Sequence, residues 1–357
     1  STQAKTLFPY TTLFRSIKMN RSPYISNAPT VSTIMFKVLL ALVPGIAAYT
    51  YVYGAGIVVS LVLATSTALI TEAALLKLRQ RPIQPYLMDL SAVVTAWLLA
   101  LSLPTLAPWW LVVVGTFFAI VIAKQLYGGL GYNPFNPAMV GYAVLLISFP
   151  LIMTKWPAPL ALADQPLSWS EQLSFIFQQT LPASMTVDAI SSATPLDYLK
   201  TQLMLNKDVA SISQAPIFGH FGGQGQEWVT AAYLLGGLYL WQQRIISWHL
   251  PTAFLVALSG MAGAFYLMNP SQYANPAFHV VSGASLLCAF FIITDPVSGP
   301  TTPKGKLVFA AGVGVLTYLI RVYGGYPDGV AFSVLIMNMC VPLIDALTQP
   351  RVFGHEK

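Results

Sequence analysis

Residues 34–76 read IMFKVLLALVPGIAAYTYVYGAGIVVSLVLATSTALITEAALL, 43 positions that carry only two charges, Lys37 and Glu72. A helix that crosses a bilayer takes about 20 apolar residues. The stretch therefore predicts two spans, 34–53 and 55–76, divided at Gly54. The pattern then repeats along the chain. Apolar runs at 90–103, 109–126 and 138–153 complete a first set of five spans. A polar stretch at 154–227 follows, and then runs at 228–241, 245–267, 280–294, 307–320 and 330–347. The predicted division is an N-terminal segment 1–20, a five-helix unit 21–153, a loop 154–227, a second five-helix unit 228–349 and a tail 350–357.

Composition agrees. Of 357 residues 55% are hydrophobic and 8% charged, against about 25% charged in soluble domains. This excludes a soluble enzyme, a nucleic-acid binder and a disordered scaffold. The excess of 18 Lys and Arg over 12 Asp and Glu fits cytoplasmic loops enriched in basic residues rather than a nucleic-acid partner. Ser1–Ser16 reads as foreign to the rest, closer to translated adapter sequence than to a signal peptide, because it has no apolar h-region or cleavage site. Met19 is the expected native start.

Charge also orients the spans. With the N-terminus inside, 13 of the 18 basic residues fall in inside segments, Lys124 among them, while Arg321 and three lysines of the long loop fall outside. Long loops translocate regardless of charge. Both termini are therefore predicted inside and loop 154–227 outside. Trp109, Trp110, Trp156, Trp228, Trp241 and Trp248 lie near span ends, as interfacial tryptophans do.

The five-plus-five layout suggests an internal repeat. Tyr127-Gly128-Gly129 and Tyr323-Gly324-Gly325 are 196 residues apart, and so are Pro104 and Pro300. An odd number of spans per half inverts the second half relative to the first. Inverted repeats commonly place a site at their interface. The expected fold is thus an all-α integral membrane protein of about ten transmembrane helices in two inverted five-helix repeats, with a large periplasmic loop.

Four acids, Glu72, Asp89, Asp295 and Asp345, sit at or near the inside ends of spans, against only Asp328 near the other face. Ionisable groups at membrane depth are candidates for ion coupling, and at an interface they also serve as anchors. Cys288 and Cys340 form no Cys-x-x-Cys pair, so iron–sulfur ligation has no support. His249 and His279 are predicted on opposite faces, too far apart to share a haem iron. Asn136-Pro137-Ala138 and Asn275-Pro276-Ala277 resemble the paired triplets of aquaporins. However, four spans precede the first and three follow the second, too many for a channel of that type. Gly219, Gly222, Gly223 and Gly225 read as a flexible link into the sixth span, or as a loop able to approach a phosphate.

The loop contains Asp188-Ala189-Ile190-Ser191-Ser192-Ala193-Thr194-Pro195-Leu196-Asp197. From residues alone, Thr194 caps a short helix, with Pro195 first and Asp197 in the first turn. The pattern at Asp188, Ser191, Ala193 and Thr194 also resembles the motif that bacterial FMN transferases recognise, in which the Thr hydroxyl takes FMN as a phosphoester. Together with Ala123-Lys124-Gln125-Leu126-Tyr127-Gly128-Gly129-Leu130-Gly131, Asn133-Pro134-Phe135-Asn136-Pro137-Ala138-Met139 and Gly324-Gly325-Tyr326-Pro327-Asp328-Gly329-Val330-Ala331-Phe332, it makes residues 22–355 resemble a known family. This family unites the D subunits of the Rnf ion-translocating oxidoreductases with the B subunits of the sodium-pumping NADH:quinone oxidoreductases.

The resemblance implies a component of a redox-driven ion translocase in a bacterial inner membrane. Covalent FMN at Thr194 would carry electrons of the ferredoxin and NAD type, coupled to sodium or proton movement. A second, non-covalent flavin such as riboflavin within the helices is also implied. Implied partners are the other membrane and peripheral subunits, an FMN transferase and membrane lipid. A flavin-free transporter or channel on the same scaffold is the competing expectation.

Overall fold

The computed structural model of the chain describes residues 30–163, 165–183, 185–326 and 328–350. The expectations for segment 1–20 and for nearly all of the tail 350–357 lie outside those residues.

Thr30 opens helix α1, Val31–Tyr53, by accepting the Thr33 N–H on its hydroxyl, which satisfies one of the first-turn donors. Gly54, at φ +91°, turns the chain into α2, Gly56–Leu78. Short α3, Ile83–Leu87, leads to α4, Ser91–Ala100. Helix α5, Trp109–Phe118, runs on as a π-helical stretch, Ala119–Gln125. Asn136 then caps α6, Pro137–Ser148, and α7, Pro150–Met153, follows.

The loop holds β1, Trp156–Pro157, then α8, Trp169–Gln178, and α9, Val187–Ile190. After these come β2, Ser191–Ser192, then α10, Pro195–Met204, and α11, Val209–Ile212. The second half comprises α12, Gln226–Gln242, α13, His249–Met268, and α14, Pro276–Val281. Helix α15, Ser285–Leu287, continues as a π-helical stretch, Cys288–Ile292. Helices α16, Pro303–Tyr323, and α17, Val330–Thr348, complete the chain.

Among the described residues, five helices are long and apolar enough to cross a membrane: α1, α2, α13, α16 and α17. Three shorter apolar helices stand where the third, fourth and fifth spans are predicted. This is the architecture of an all-α integral membrane protein. Two predicted spans differ in form. The third is only ten residues of helix, about 15 Å at 1.5 Å per residue. Beyond it Leu103, Thr105 and Ala107 are buried in irregular backbone. The eighth, predicted as one run over 280–294, breaks between α14 and α15 at Ser282–Gly283, where Gly283 has φ +64°. Hydropathy does not mark the break, because apolar residues continue on both sides of it. Irregular backbone at membrane depth is tolerated where protein covers it, and Ser282 and Ser285 are fully buried.

The packing is paired. Helix α1 lies along α12, and α6 along α17; α2 packs on α4 and α5, as α13 does on α14 and α16. At the α1–α12 contact Gly236 is so close that a Cβ would stand 2.0 Å from the Ala41 carbonyl oxygen. Small residues allow such backbone approach between apolar helices. The two Asn-Pro-Ala triplets are helix starts. Asn136 and Asn275 each cap a helix with Pro at its first position.

The loop docks on the helices through its polar groups. Buried Gln172 of α8 accepts the Gly56 N–H at 3.0 Å and fills the space where a Cβ on Gly54 would sit. The Lys200 ammonium of α10 donates to the Gly324 carbonyl.

Candidate functional site

Strand β2 contains Ser191 and Ser192 of the motif, and it pairs antiparallel with β1, Trp156 opposite Ser192 and Pro157 opposite Ser191. The Ala158 N–H donates to the Ile190 carbonyl and extends the clamp. The motif is thereby fixed to the chain just after α7. Thr194 is the N-cap of α10: its hydroxyl accepts the Asp197 N–H at 3.2 Å, and Pro195 occupies the first turn. The capping predicted from residues is present. Asp188 lies in α9, and its side chain falls outside the described residues.

Behind Pro195 lies the glycine-rich link. A Cβ on Gly223 would stand 2.3 Å from Pro195 Cγ, so glycine is required for the loop to pass. The Glu227 carboxylate accepts the N–H groups of Phe221 and Gly222 at 2.6 and 2.8 Å. Those donors are engaged within the chain. The loop wedges α10 in place.

Ser192, Ala193 and Thr194 line a cleft that encloses about 1220 Å³, its open mouth included. It runs between the two halves. The loop end of α1 supplies Tyr49 and Tyr53, α6 supplies Tyr142, and α12 supplies Tyr233. Leu101 and Ser102 beyond α4 and Gly283 and Ala284 at the eighth-span break close it from two sides. Tyr53 donates to Gln226, whereas the buried Tyr233 hydroxyl has no partner among the described residues. A second cleft, about 820 Å³ with its mouth, opens at the opposite ends of α1 and α12. Ser91, Lys124, Asn133 and Asp295 are among its lining residues, and the buried Oδ1 of Asn133 is unpartnered among the described residues.

The four acids fare differently. Glu72 is a buried partner rather than an interfacial anchor: Lys124 Nζ stands 2.6 Å from its Oε1, and Gln125 Nε2 donates to the same oxygen at 2.7 Å. Lys124 also donates to Ser91 Oγ at 2.8 Å, and Ser91 donates in turn to Asp89. Glu72 and Asp89 thus belong to one chain of contacts through Lys124 and Ser91. Asp295 accepts from Ser298 and the Val297 N–H at the rim of the second cleft. Asp345 stands apart, its carboxylate accepting the Thr301 N–H.

Two cations counted as loop charges are interior. Lys124 is 2% exposed and Arg321 4%. For Lys124 a signal existed, since it lies inside the apolar run 109–126. Asn338, a polar residue inside the apolar run 330–347, offered a similar signal that went unread; it accepts the Asn136 N–H and donates to the Ser298 carbonyl.

A membrane-embedded helical protein with a half-buried threonine lining an aromatic cleft is the class this geometry defines. Residues 18–354 match the family model described as the NQR2, RnfD, RnfE family, and the chain belongs to that family. A relative from Yersinia pseudotuberculosis serotype O:1b (strain IP 31758), called the D subunit of an ion-translocating oxidoreductase complex, is 52% identical over 343 residues, covering 94% of this chain and 97% of the relative. Relatives with the same name from Escherichia fergusonii and Salmonella heidelberg (strain SL476) are each 51% identical over 344 residues, covering 94% of this chain and 98% of theirs.

Proposed function

We propose that this chain is the flavin-bearing membrane component of an ion-translocating oxidoreductase complex, carrying FMN as a phosphoester on Thr194. The observation that carries the reading is that the motif threonine both caps α10 and lines the aromatic cleft. The groups present suit FMN. The positive end of a ten-residue helix favours a phosphate at its cap. Tyr49, Tyr53, Tyr142 and Trp156 offer flat apolar walls, and the Tyr233 hydroxyl, without a partner among the described residues, offers a polar contact.

When bound, the flavin supplies electron transfer in single or paired steps. The chain's own part is structural and electrostatic. The β1–β2 clamp and Lys200 fix the loop, α10 presents its N-terminus to the phosphate, and the tyrosines exclude water from the cleft. A second, non-covalent flavin such as riboflavin suits the other cleft, where Asn133 Oδ1 lacks a partner among the described residues and Lys124 and Ser91 add polar lining.

The fold reading is ten crossings in two inverted halves in a bacterial inner membrane, with the termini cytoplasmic and the Thr194 loop periplasmic. The paired packing of α1 with α12 and α6 with α17 supports it. For sodium or proton coupling, Asp295 at the second cleft and the Glu72–Lys124–Ser91–Asp89 chain are the better-placed candidates. Asp345, held by backbone, is the weaker one. Partners are the other subunits of an Rnf-type complex, membrane lipid and the FMN transferase, with electrons of the ferredoxin and NAD type.

The test is co-expression with an FMN transferase. A denaturing gel under ultraviolet light is followed by mass spectrometry of the Thr194 peptide. A fluorescent band with FMN minus water at Thr194, absent from Thr194→Ala, is expected. A dark band beside an active transferase refutes the assignment and favours a flavin-free transporter.

A further inference from the structure

Below the motif, the floor of the first cleft is held by an ion pair of one buried and one partly exposed charge. Arg321, near the end of α16, donates through Nε to Asp328 Oδ1 at 3.1 Å, with Nη2 also 3.1 Å from that oxygen. Its Nη1 donates to the His279 carbonyl at 2.7 Å and Nη2 to the Ser282 carbonyl at 3.3 Å. Asp328 accepts the Ala284 N–H on Oδ2 at 2.9 Å and the Val330 N–H on Oδ1 at 3.2 Å. One ion pair therefore ties together the last turn of α14, the break before α15, the end of α16 and the start of α17.

The pair also reaches the motif. A Cβ on Gly283 would stand 2.5 Å from Asp328 Oδ2, 2.9 Å from Arg321 Nη2 and 2.8 Å from Leu196 Cδ1, two residues beyond Thr194. The left-handed φ of Gly283 and this crowding both require glycine there. The charges are placed unequally. Asp328 lines the cleft and keeps 21% of its side chain exposed, whereas Arg321 lies behind it at 1%.

We propose that the Arg321–Asp328 pair is a positioning element of the cleft, which fixes its floor through the Ser282–Ala284 break and sets the electrostatic balance felt by a ring carried on Thr194. This rests on the covalent-flavin reading of Thr194. A scaffold alone does not need charge, since buried ion pairs are often replaceable by apolar groups at no loss of stability. A balanced pair beside a redox group does something apolar packing does not: removing either member leaves a net charge of known sign in a low dielectric. Asp328→Asn leaves the positive charge of Arg321, which favours the more negative, reduced flavin. Arg321→Gln leaves the negative charge of Asp328, which disfavours it.

The experiment uses the full chain, co-expressed with an FMN transferase and purified in detergent. Mass spectrometry of Thr194 comes first, and redox titration of the visible flavin band follows. If the wild-type protein carries no FMN at Thr194, the covalent-flavin reading has failed and this proposal goes with it. With FMN present in all variants, Asp328→Asn is expected to raise the midpoint and Arg321→Gln to lower it. Each shift should reach about tenfold in the oxidised-to-reduced ratio, about 59 mV for one electron. Midpoints unchanged in both variants, or shifted in the same direction as general loosening would give, overturn the proposal while leaving Thr194 intact as the flavin site.

Where a neutral variant does not fold, Asp328→Glu and Arg321→Lys carry the test, because they keep the charge while altering the fork of contacts. The midpoint should then stay within about twofold in that ratio while the visible circular dichroism of the ring changes. Wild-type dichroism in both conservative variants overturns the positioning role.

Discussion

Lys124→Met should be among the more damaging single substitutions in the membrane region. The ammonium stands 2.6 Å from Glu72 Oε1 and 2.8 Å from Ser91 Oγ, and the two charged side chains are 2% and 1% exposed. Breaking a buried pair by removing one member costs about 3–5 kcal/mol, because the other charge is left uncompensated. At about 1.4 kcal/mol per tenfold, the folded-to-unfolded ratio falls by roughly two to three and a half orders of magnitude. Glu72 would keep only the Gln125 amide at 2.7 Å, since its Oε2 has no partner among the described residues even in the intact protein. Replacing both members, Glu72→Leu with Lys124→Met, should recover most of the loss. The assay is thermal unfolding in detergent, read by a thiol-reactive dye on fully buried Cys288 in a Cys340→Ser background. A Lys124→Met variant within about 1 kcal/mol of the parent, or a double variant whose loss is the sum of the singles, would refute the reasoning.

Two further outcomes follow from local geometry. Gly236→Ala should destabilise by about 1–3 kcal/mol through overpacking, because its Cβ would stand 2.0 Å from the Ala41 carbonyl. Gly260→Ala, with nothing among the described residues within 4 Å, is the control and should be neutral or slightly stabilising in the same unfolding assay. In the loop, hydrogen bonds from the Ser168 side chain and backbone hold the exposed Glu171 carboxyl below the usual carboxylate range. That capping stability is present above the ordinary carboxylate pKa and is lost as pH falls through the lowered one. Hydrogen-exchange protection in the first turn of α8, taken relative to the intrinsic exchange rate at each pH, should therefore fall on acidification in the parent and lose that pH dependence in Glu171→Gln.

The apolar runs located the helices well, since burial in lipid and burial in protein both select apolar side chains over the same lengths. Helix α17 starts at the predicted Val330, and α5 at the predicted Trp109. The capping role of Thr194 was equally legible, because a cap is a local event encoded within four residues. Tertiary pairing was not. Glu72 and Lys124 are 52 positions apart on different helices, and each alone looks like a charge near a span end. The break at Gly283 sits within apolar sequence, where composition is silent and only a backbone dihedral changes. The acids were readable as charges near span ends, but not as one buried ion pair, two turn-forming side chains and one link to the Thr301 backbone.

The Glu72–Lys124 and Arg321–Asp328 pairs have an electrical consequence. Each brings a unit positive and a unit negative charge into direct contact, so each is neutral as a body. Moving one elementary charge through a membrane voltage of about 100 mV takes about 2.3 kcal/mol, but a neutral pair held rigid couples to the field only through its short dipole. Resting voltage therefore exerts almost no net pull on these four paired side chains. Any voltage dependence in this protein has to come from charge that travels, an ion or an electron, and not from the pairs that stay in place.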